Sequence, residues 1–268
     1  MTPLRFAVIG DPVAHSKSPV MHRAALRALG LPHTYKAIRV TADELPGVVQ
    51  ALRDGTFAGL NITVPHKQRV LDHVDGLDES ARTAGAANTL VRTGDGRVVA
   101  HNTDVAALVA ELTALAGPGA AWPTWRVLVL GSGGAALAAR AALASLGAAD
   151  IRVRARRKGE AWQPLEPSPS SERMTHVIVQ ATSAGMSGAD PGEPVAAAVA
   201  WDALPPGAIA LDVVYSPPET PFLAAARRRG LKSANGLGML ARQGALALEL
   251  WLGGPAPLGA MLAALQGP

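Results

Sequence analysis

Apolar and polar positions along this chain follow two rhythms. In the first hundred residues, short apolar runs alternate with amphipathic stripes. Leu4 to Ile9 is an apolar run closed by Gly10-Asp11-Pro12, which predicts a first strand. Ser18-Pro19 reads as an N-cap followed by proline at the first helical position, with Met21, Ala25 and Leu29 on one face and Gly30 at the end. Tyr35 to Val40 is a second strand, and Thr41 to Glu44 reads as a capping box opening a helix to about Arg53. Gly59 to Thr63 is a short strand, and Pro65 predicts that a helix starts there. A short helix over Asp78 to Ala84, a hairpin of Asn88–Arg92 and Arg97–His101, and a helix over Val105 to Ala116 follow. Thr103 or Asp104 is the expected cap of that last helix.

Residues 117–124 are rich in Gly and Pro and read as a linker and candidate domain seam. Beyond them the rhythm tightens into βαβ units. Arg126 to Leu130 is a buried-type strand, followed at once by Gly131-Ser132-Gly133-Gly134-Ala135-Ala136 and an Ala/Leu helix to Leu146. Strands are expected at Ile151–Ala155, His176–Gln180, Ile209–Val214 and Lys232–Ala234, with a helix over Pro221–Arg229. Residues 160–173 lack period and read as a loop. Asn235-Gly236-Leu237-Gly238 opens a long apolar helix through Trp251, and Leu258 to Leu265 closes the chain.

Composition narrows the class. Apolar residues make up 49% of 268 positions, which suits a globular chain. No apolar run approaches the roughly 20 residues needed to span a bilayer, and the N-terminus lacks a secretory layout, so a cytoplasmic protein with no membrane partner is expected. Zero Cys excludes disulfides and thiol chemistry, and the seven His lack metal spacing, so no metal is expected. The net charge is only +4, and no aromatic residue lies inside either basic cluster, 152–158 or 227–229, which argues against a nucleic-acid partner. P-loop, HExxH and GxSxG motifs are missing.

The candidate chemistry sits in a few places. Asn61-Ile62-Thr63-Val64-Pro65-His66-Lys67 gathers amide, hydroxyl and amine where a strand ends, the place where open α/β sheets bind ligands. An ordinary strand-loop-helix corner has the same outline. The chain holds only five Lys and four Asn, and all four Asn fall inside the segments singled out here. Ser16 and Ser18 set two hydroxyls beside a helix N-terminus, a natural seat for a carboxylate. Ser18 has the alternative duty of a cap; Ser16 has none. Gln243 is one polar residue in an apolar helix, either exposed or aimed at a ligand.

The glycine-rich turn has its full context, a buried strand before it and a helix and second strand after it, which predicts a dinucleotide on the helix N-terminus. No acidic residue stands at the end of that second strand. Arg154, Arg156, Arg157 and Lys158 stand there instead, which favours the 2′-phosphate of NADP over NAD, with a solvated charge run as the alternative.

AHSKSP (14–19), NITVPHK (61–67), ANTL (87–90), NTD (102–104), GSGGAA (131–136), ATSAGM (181–186), DVVYSPPETP (212–221) and NGLGML with Gln243 (235–243) together resemble the shikimate dehydrogenase family, nearly end to end. The resemblance implies an α/β protein of two α/β domains flanking a cleft. Residues 1–103 plus 237–268 would bind substrate, and 104–236 would be a Rossmann domain for NADP. The implied reaction is reversible reduction of 3-dehydroshikimate by NADPH to shikimate.

By the same resemblance, Ser16 and Ser18 hold the substrate carboxylate with Tyr215 nearby. Thr63, Asn88, Asp104 and Gln243 bind the ring hydroxyls, and Asn61 supports them. Lys67 and Asp104 are the catalytic pair. Gly131, Ser132, Gly133, Gly134 and Ala135 bind the pyrophosphate, Arg156 and Arg157 the 2′-phosphate, and Val213 and Gly236 the nicotinamide end, with Glu79 facing the cofactor cleft. Elementary chemistry agrees: hydride transfer to a ketone leaves a developing alkoxide that needs a proton, which Lys67 can give while Asp104 orients it. Three positions depart from the family pattern: Val105 replaces a glycine at the hinge, Ala155 an asparagine on the adenosine side, and Gln180 an asparagine before the Ala-Thr-Ser loop. A quinate/shikimate dehydrogenase with relaxed cofactor use and a non-catalytic NADP-sensing module are the rival readings. The sequence leaves monomer and homodimer both open.

Overall fold

Phe6 to Gly10 are buried without interruption, so strand β1 (Arg5–Gly10) is covered on both faces, as its unbroken apolar run requires. It lies inside a six-stranded sheet of order β2-β1-β3-β5-β6-β4. The other strands are β2 (Thr34–Arg39), β3 (Gly59–Ile62), β4 (Gly76–Leu77), β5 (Thr89–Arg92) and β6 (Val98–His101). β1 pairs parallel with β2 and β3, β3, β5 and β6 run antiparallel, and β4 is parallel to β6. On one face Ala7, Ile9, Leu60 and Leu90 join Leu45, Val49 and Leu52 of helix α2 (Leu45–Arg53) in one buried cluster. Those three leucine and valine positions recur at the spacing of one helical face. Elsewhere Phe6 stacks on Trp251 of helix α8 (Leu237–Leu252) with ring centroids 4.9 Å apart. Helix α1 (Ser18–Ala28) packs against the C-terminal helix α9 (Leu258–Gln266).

This computed structural model describes residues 2–156 and 175–267. The expectations for Arg157, Lys158 and the loop over 160–173 lie outside them. The chain divides into two units: Met1–Ala107 with Leu240–Pro268, which holds the mixed sheet, and Leu108–Met239. It crosses from one to the other within helix α4 (Thr103–Ala116) and within α8. Residues 117–124 therefore lie inside the second unit, where Trp122 is buried in a 3-10 turn, and not at a seam.

The second unit holds a five-stranded parallel sheet of order β11-β10-β9-β7-β8. Its strands are β7 (Arg126–Leu130), β8 (Asp150–Arg154), β9 (Thr175–Gln180), β10 (Ile209–Asp212) and β11 (Lys232–Ala234). Leu128, Leu130, Ile178 and Ala210 pack with Phe222, Leu223 and Ala226 of helix α7 (Pro221–Arg228). Strand order reverses at β7, which has β8 on one side and β9 on the other, so the doubly wound sheet has its switch point between β7 and β9. The fold class is α/β, and the second unit is of Rossmann type. Among the described residues no helix is long and apolar enough to cross a membrane.

Four local expectations are corrected. Pro65 does not start a helix: His66 N–H bonds to Thr63 O at 2.9 Å in a turn, and the chain turns helical only over Arg69–His73, as a 3-10 segment. The N-cap of α1 is Lys17, so Ser18 is already helical and its side chain is not a cap. Ser16 takes the capping-like duty, its Oγ accepting the Ser18 N–H at 3.2 Å. Helix α2 starts at Leu45, and Glu44 reaches back to the Thr41 N–H at 2.8 Å across a turn that precedes the helix. Helix α4 already includes Thr103 and Asp104, and the Asp104 carboxylate is engaged elsewhere.

Gly59 marks a tight approach. A Cβ there would lie 2.2 Å from Nε1 of Trp251, the atom that donates to Leu90 O at 3.0 Å. Gly59→Ala is expected to push the indole off that bond and destabilise the protein by about 1–3 kcal/mol, the usual cost of overpacking. A thermal melt checks this; an unchanged midpoint would mean the ring has room to move.

Candidate active site

Strand β3 ends at Ile62, beside the end of β1, and the chain then turns sharply. Thr63 N–H donates to Ile9 O at 2.9 Å, and Val64 O accepts from Asp11 N–H at 3.0 Å. The Val64–Pro65 peptide is cis. His66 is fully buried, and its Nε2 lies 2.6 Å from Val40 O. A carbonyl only accepts, so Nε2 carries the proton. Lys67 O accepts from Ala87 N–H at 2.7 Å. These fastenings fix the backbone that carries Lys67, and its Nζ donates to Asp104 Oδ2 at 2.6 Å.

Asp104 is 3% exposed and sits in the first turn of α4, where the helix dipole favours a negative charge. Its second oxygen accepts from Asn88 Nδ2 at 2.9 Å. That amide also meets Thr103 Oγ1 at 2.9 Å and Gln243 Oε1 at 3.3 Å, while Asn88 Oδ1 accepts the Thr103 N–H at 2.8 Å. Asn61 donates to Asn88 O at 3.1 Å and to Thr89 Oγ1 at 3.0 Å. Lys67, Asp104, Asn88, Asn61 and Gln243, spread over the 183 positions from 61 to 243, thus form one hydrogen-bonded cluster in the first unit. Gln243 is buried, which resolves its alternative of exposure. Thr63 is half-buried beside Asn61, and Glu79 is exposed at the start of helix α3 (Glu79–Ala84).

In the second unit, Gly131 follows β7 with φ +123° and its N–H bonds to Arg154 O at 2.7 Å. A Cβ on Gly131 would meet Ala181 O at 2.9 Å, so both backbone angle and space demand glycine. Gly133 is the N-cap of helix α5 (Gly134–Ser145); no side chain caps that end and no acidic residue lies in its first turn. Ser132 and Gly133 are exposed, Gly134 and Ala135 half-buried. Open backbone N–H groups at the switch point of a parallel sheet fit a pyrophosphate.

Comparison with known proteins decides the family. A family model described as the shikimate dehydrogenase substrate binding domain matches residues 8–90, and one described as the shikimate 5′-dehydrogenase C-terminal domain matches 236–266. The NADP(+) shikimate dehydrogenase of Methylobacterium radiotolerans is 40% identical, covering 94% of this chain and 92% of that one. That of Lysinibacillus sphaericus is 37% identical, covering 92% of each. The chain belongs to the shikimate dehydrogenase family. The Thermus thermophilus shikimate 5-dehydrogenase solved with NADP(H) and shikimate superposes on it with a TM-score of 0.80, 35% identity and 98% of each chain covered.

Within this family member, the two remaining groups of expected residues lie in the second unit. Arg156 forms an ion pair with Asp190, a partner 34 positions away that no local pattern signals. Val213 and Gly236 touch through the backbone: a Cβ on Gly236 would lie 2.0 Å from Val213 O. Tyr215 is half-buried in the loop after β10. Gln180 closes its loop by accepting the Thr182 N–H at 2.5 Å and donating to Ala184 O at 3.0 Å. Sequence reasoning missed Asp212, whose only signal was a carboxylate ending an apolar run. It is fully buried and holds both ends of the 213–220 loop, accepting Val214 N–H at 2.9 Å and Thr220 Oγ1–H at 2.5 Å.

Burial pushes the Asp212 carboxyl up to about 6 from 3.8. The folded state therefore binds this proton more readily than the unfolded chain, and the group's contribution to stability falls as pH rises from 3.8 through about 6. Asp212→Asn removes that dependence. The variant is expected to gain melting temperature relative to the natural chain as pH is raised from about 5 to 8. A gap that stays constant across that range would show a carboxyl that titrates normally.

Proposed function

We propose that this protein catalyses the NADP-dependent, reversible reduction of 3-dehydroshikimate to shikimate, working in the cytoplasm. The observation that carries the reading is the 2.6 Å contact between Lys67 and Asp104, two residues from separate family motifs. The family kinship and the open N-terminus of α5 support it. The first unit takes the substrate and the second takes NADP, which supplies the hydride chemistry when bound.

The residues divide the work as follows. Ser16 and Ser18 hold the substrate carboxylate, with Tyr215 contributing to it. Thr63, Asn88, Asp104 and Gln243 contact the ring hydroxyls, and Asn61 steadies Asn88 and Thr89. An ammonium has three donors. One on Lys67 is spent on Asp104, which leaves the others for the substrate oxygen. As negative charge develops there, Lys67 gives it a proton, and in the reverse direction takes one back. Asp104 keeps the amine aimed. Gly131, Ser132, Gly133, Gly134 and Ala135 bind the pyrophosphate. Arg156 and Arg157 take the 2′-phosphate, Arg156 trading part of its pairing with Asp190 for it. Val213, Gly236 and Glu79 complete the cofactor contacts.

An absorbance assay at the nicotinamide band with shikimate and NADP tests the activity, and quinate and NAD in parallel test the relaxed alternative. Lys67→Ala is expected to lower kcat by about 10²–10⁴-fold, the range for losing a general acid, with little change in shikimate affinity. Normal turnover in that variant would overturn the role. Arg156→Ala is expected to weaken NADPH far more than NADH; equal weakening would remove the 2′-phosphate contact.

A further inference from the structure

Two charged residues 34 positions apart meet at the carboxyl end of the second unit's sheet. Arg156 follows β8, Asp190 lies in the loop after β9, and their side chains form an ion pair. Strand order puts β8 and β9 on opposite sides of β7. The pair therefore joins the two flanks of the strand that leads into the glycine-rich turn. Backbone contacts hold that turn to the same two flanks. Gly131 N–H bonds to Arg154 O at 2.7 Å, and a Cβ on Gly131 would meet Ala181 O at 2.9 Å.

The backbone under Asp190 is fastened. Its carbonyl accepts the Gly185 N–H at 2.8 Å, and Ser187 N–H donates to Ser216 O at 2.9 Å in the loop after β10. A Cβ on Gly192 would lie 2.8 Å from Pro221 Cδ, so the segment is packed against the start of α7. What can move is the side chain. The Asp190 carboxylate is 63% exposed, so it turns into water at little cost. Arginine presents its N–H donors as a flat fork that fits a phosphate as well as a carboxylate. Nη2 of that fork is engaged by Asp190. A phosphate that pairs with Arg156 must share the guanidinium with this carboxylate or displace it. Like charges also repel when the two anions come together. A cofactor with a free 2′-hydroxyl meets neither cost.

We propose that Asp190 is a specificity-determining residue: it competes with the 2′-phosphate of the cofactor for Arg156 and so narrows the preference for NADP over NAD. This rests on the reading of Arg156 given above. The carboxylate acts on the phosphate-bearing cofactor alone, because only that cofactor asks for the guanidinium.

Titrations of NADPH and NADH, followed by nicotinamide fluorescence, test this in the natural full-length protein, Asp190→Ala, Arg156→Ala and the double variant. Alanine removes the carboxylate and brings no donor of its own to the phosphate. Asp190→Ala is expected to bind NADPH about two- to fivefold tighter, the worth of one exposed ion pair, and NADH no tighter. In the Arg156→Ala background the same change is expected to gain nothing, because no guanidinium is left to compete for. NADPH binding that is unchanged or weaker in Asp190→Ala overturns the proposal, as does a gain that NADH shares equally. A gain that persists in full without Arg156 overturns it too, since the carboxylate would then act by repulsion and not by competition. If Arg156→Ala weakens NADPH and NADH alike, the 2′-phosphate reading itself falls, an outcome distinct from a selective loss there with an indifferent Asp190.

Discussion

A carboxylate taken out of water must find a cation and hydrogen-bond donors, or it unfolds what surrounds it. Asp104 is such a group, and the first unit is arranged around satisfying it. Lys67 supplies the charge, Asn88 the second donor, and the first turn of α4 a favourable dipole. Each partner in turn needs its own. Asn88 is held by Thr103 and Gln243, Asn61 by Tyr35, and the Lys67 loop by the His66–Val40 bond. A network of this kind is rigid, because each of its amides has one orientation that pairs both its oxygen and its nitrogen. A site that must aim one ammonium at one substrate oxygen gains from that rigidity.

The second unit depends on a different constraint, the close approach of backbone to backbone. At the switch point Gly131 lies against Ala181 O, and Gly236 against Val213 O, in spaces that no side chain can enter. What results is an α5 N-terminus that, among the described residues, no side-chain hydrogen bond caps. Buried Asp212 adds a polar clamp at the end of β10, tying down both ends of the loop that carries Tyr215. Here burial works against the charged form.

Much of this was legible in the sequence. Unbroken apolar runs located β1 and β7, because strands covered on both faces leave no polar position to break the run. The glycine turn was readable because its backbone geometry excludes other residues. Lys67, Asp104, Asn88 and Gln243 were found through motifs, as the family resemblance carried them. Short-range signals did less well where tertiary partners intervened. Pro65 marked a turn and not a helix start. Ser18-Pro19 has the outline of a cap, but Lys17 holds that place. The Gly/Pro stretch at 117–124 suggested a seam, while the division between units falls inside continuous helices.

The sequence by itself determined the periodicities, the glycines and the inventory of reactive groups, because these depend on local chemistry alone. It also determined the family. Tertiary structure decided which polar groups are buried and whom they face. Tyr35, His66 and Asp212 look ordinary along the chain. They matter because β2, the turn after β3 and the end of β10 take them out of water, where a polar group must bond to a particular neighbour. That neighbour lies 26 residues away for both Tyr35 and His66. No local pattern encodes such a distance; only the packing of strand against strand brings the partners together.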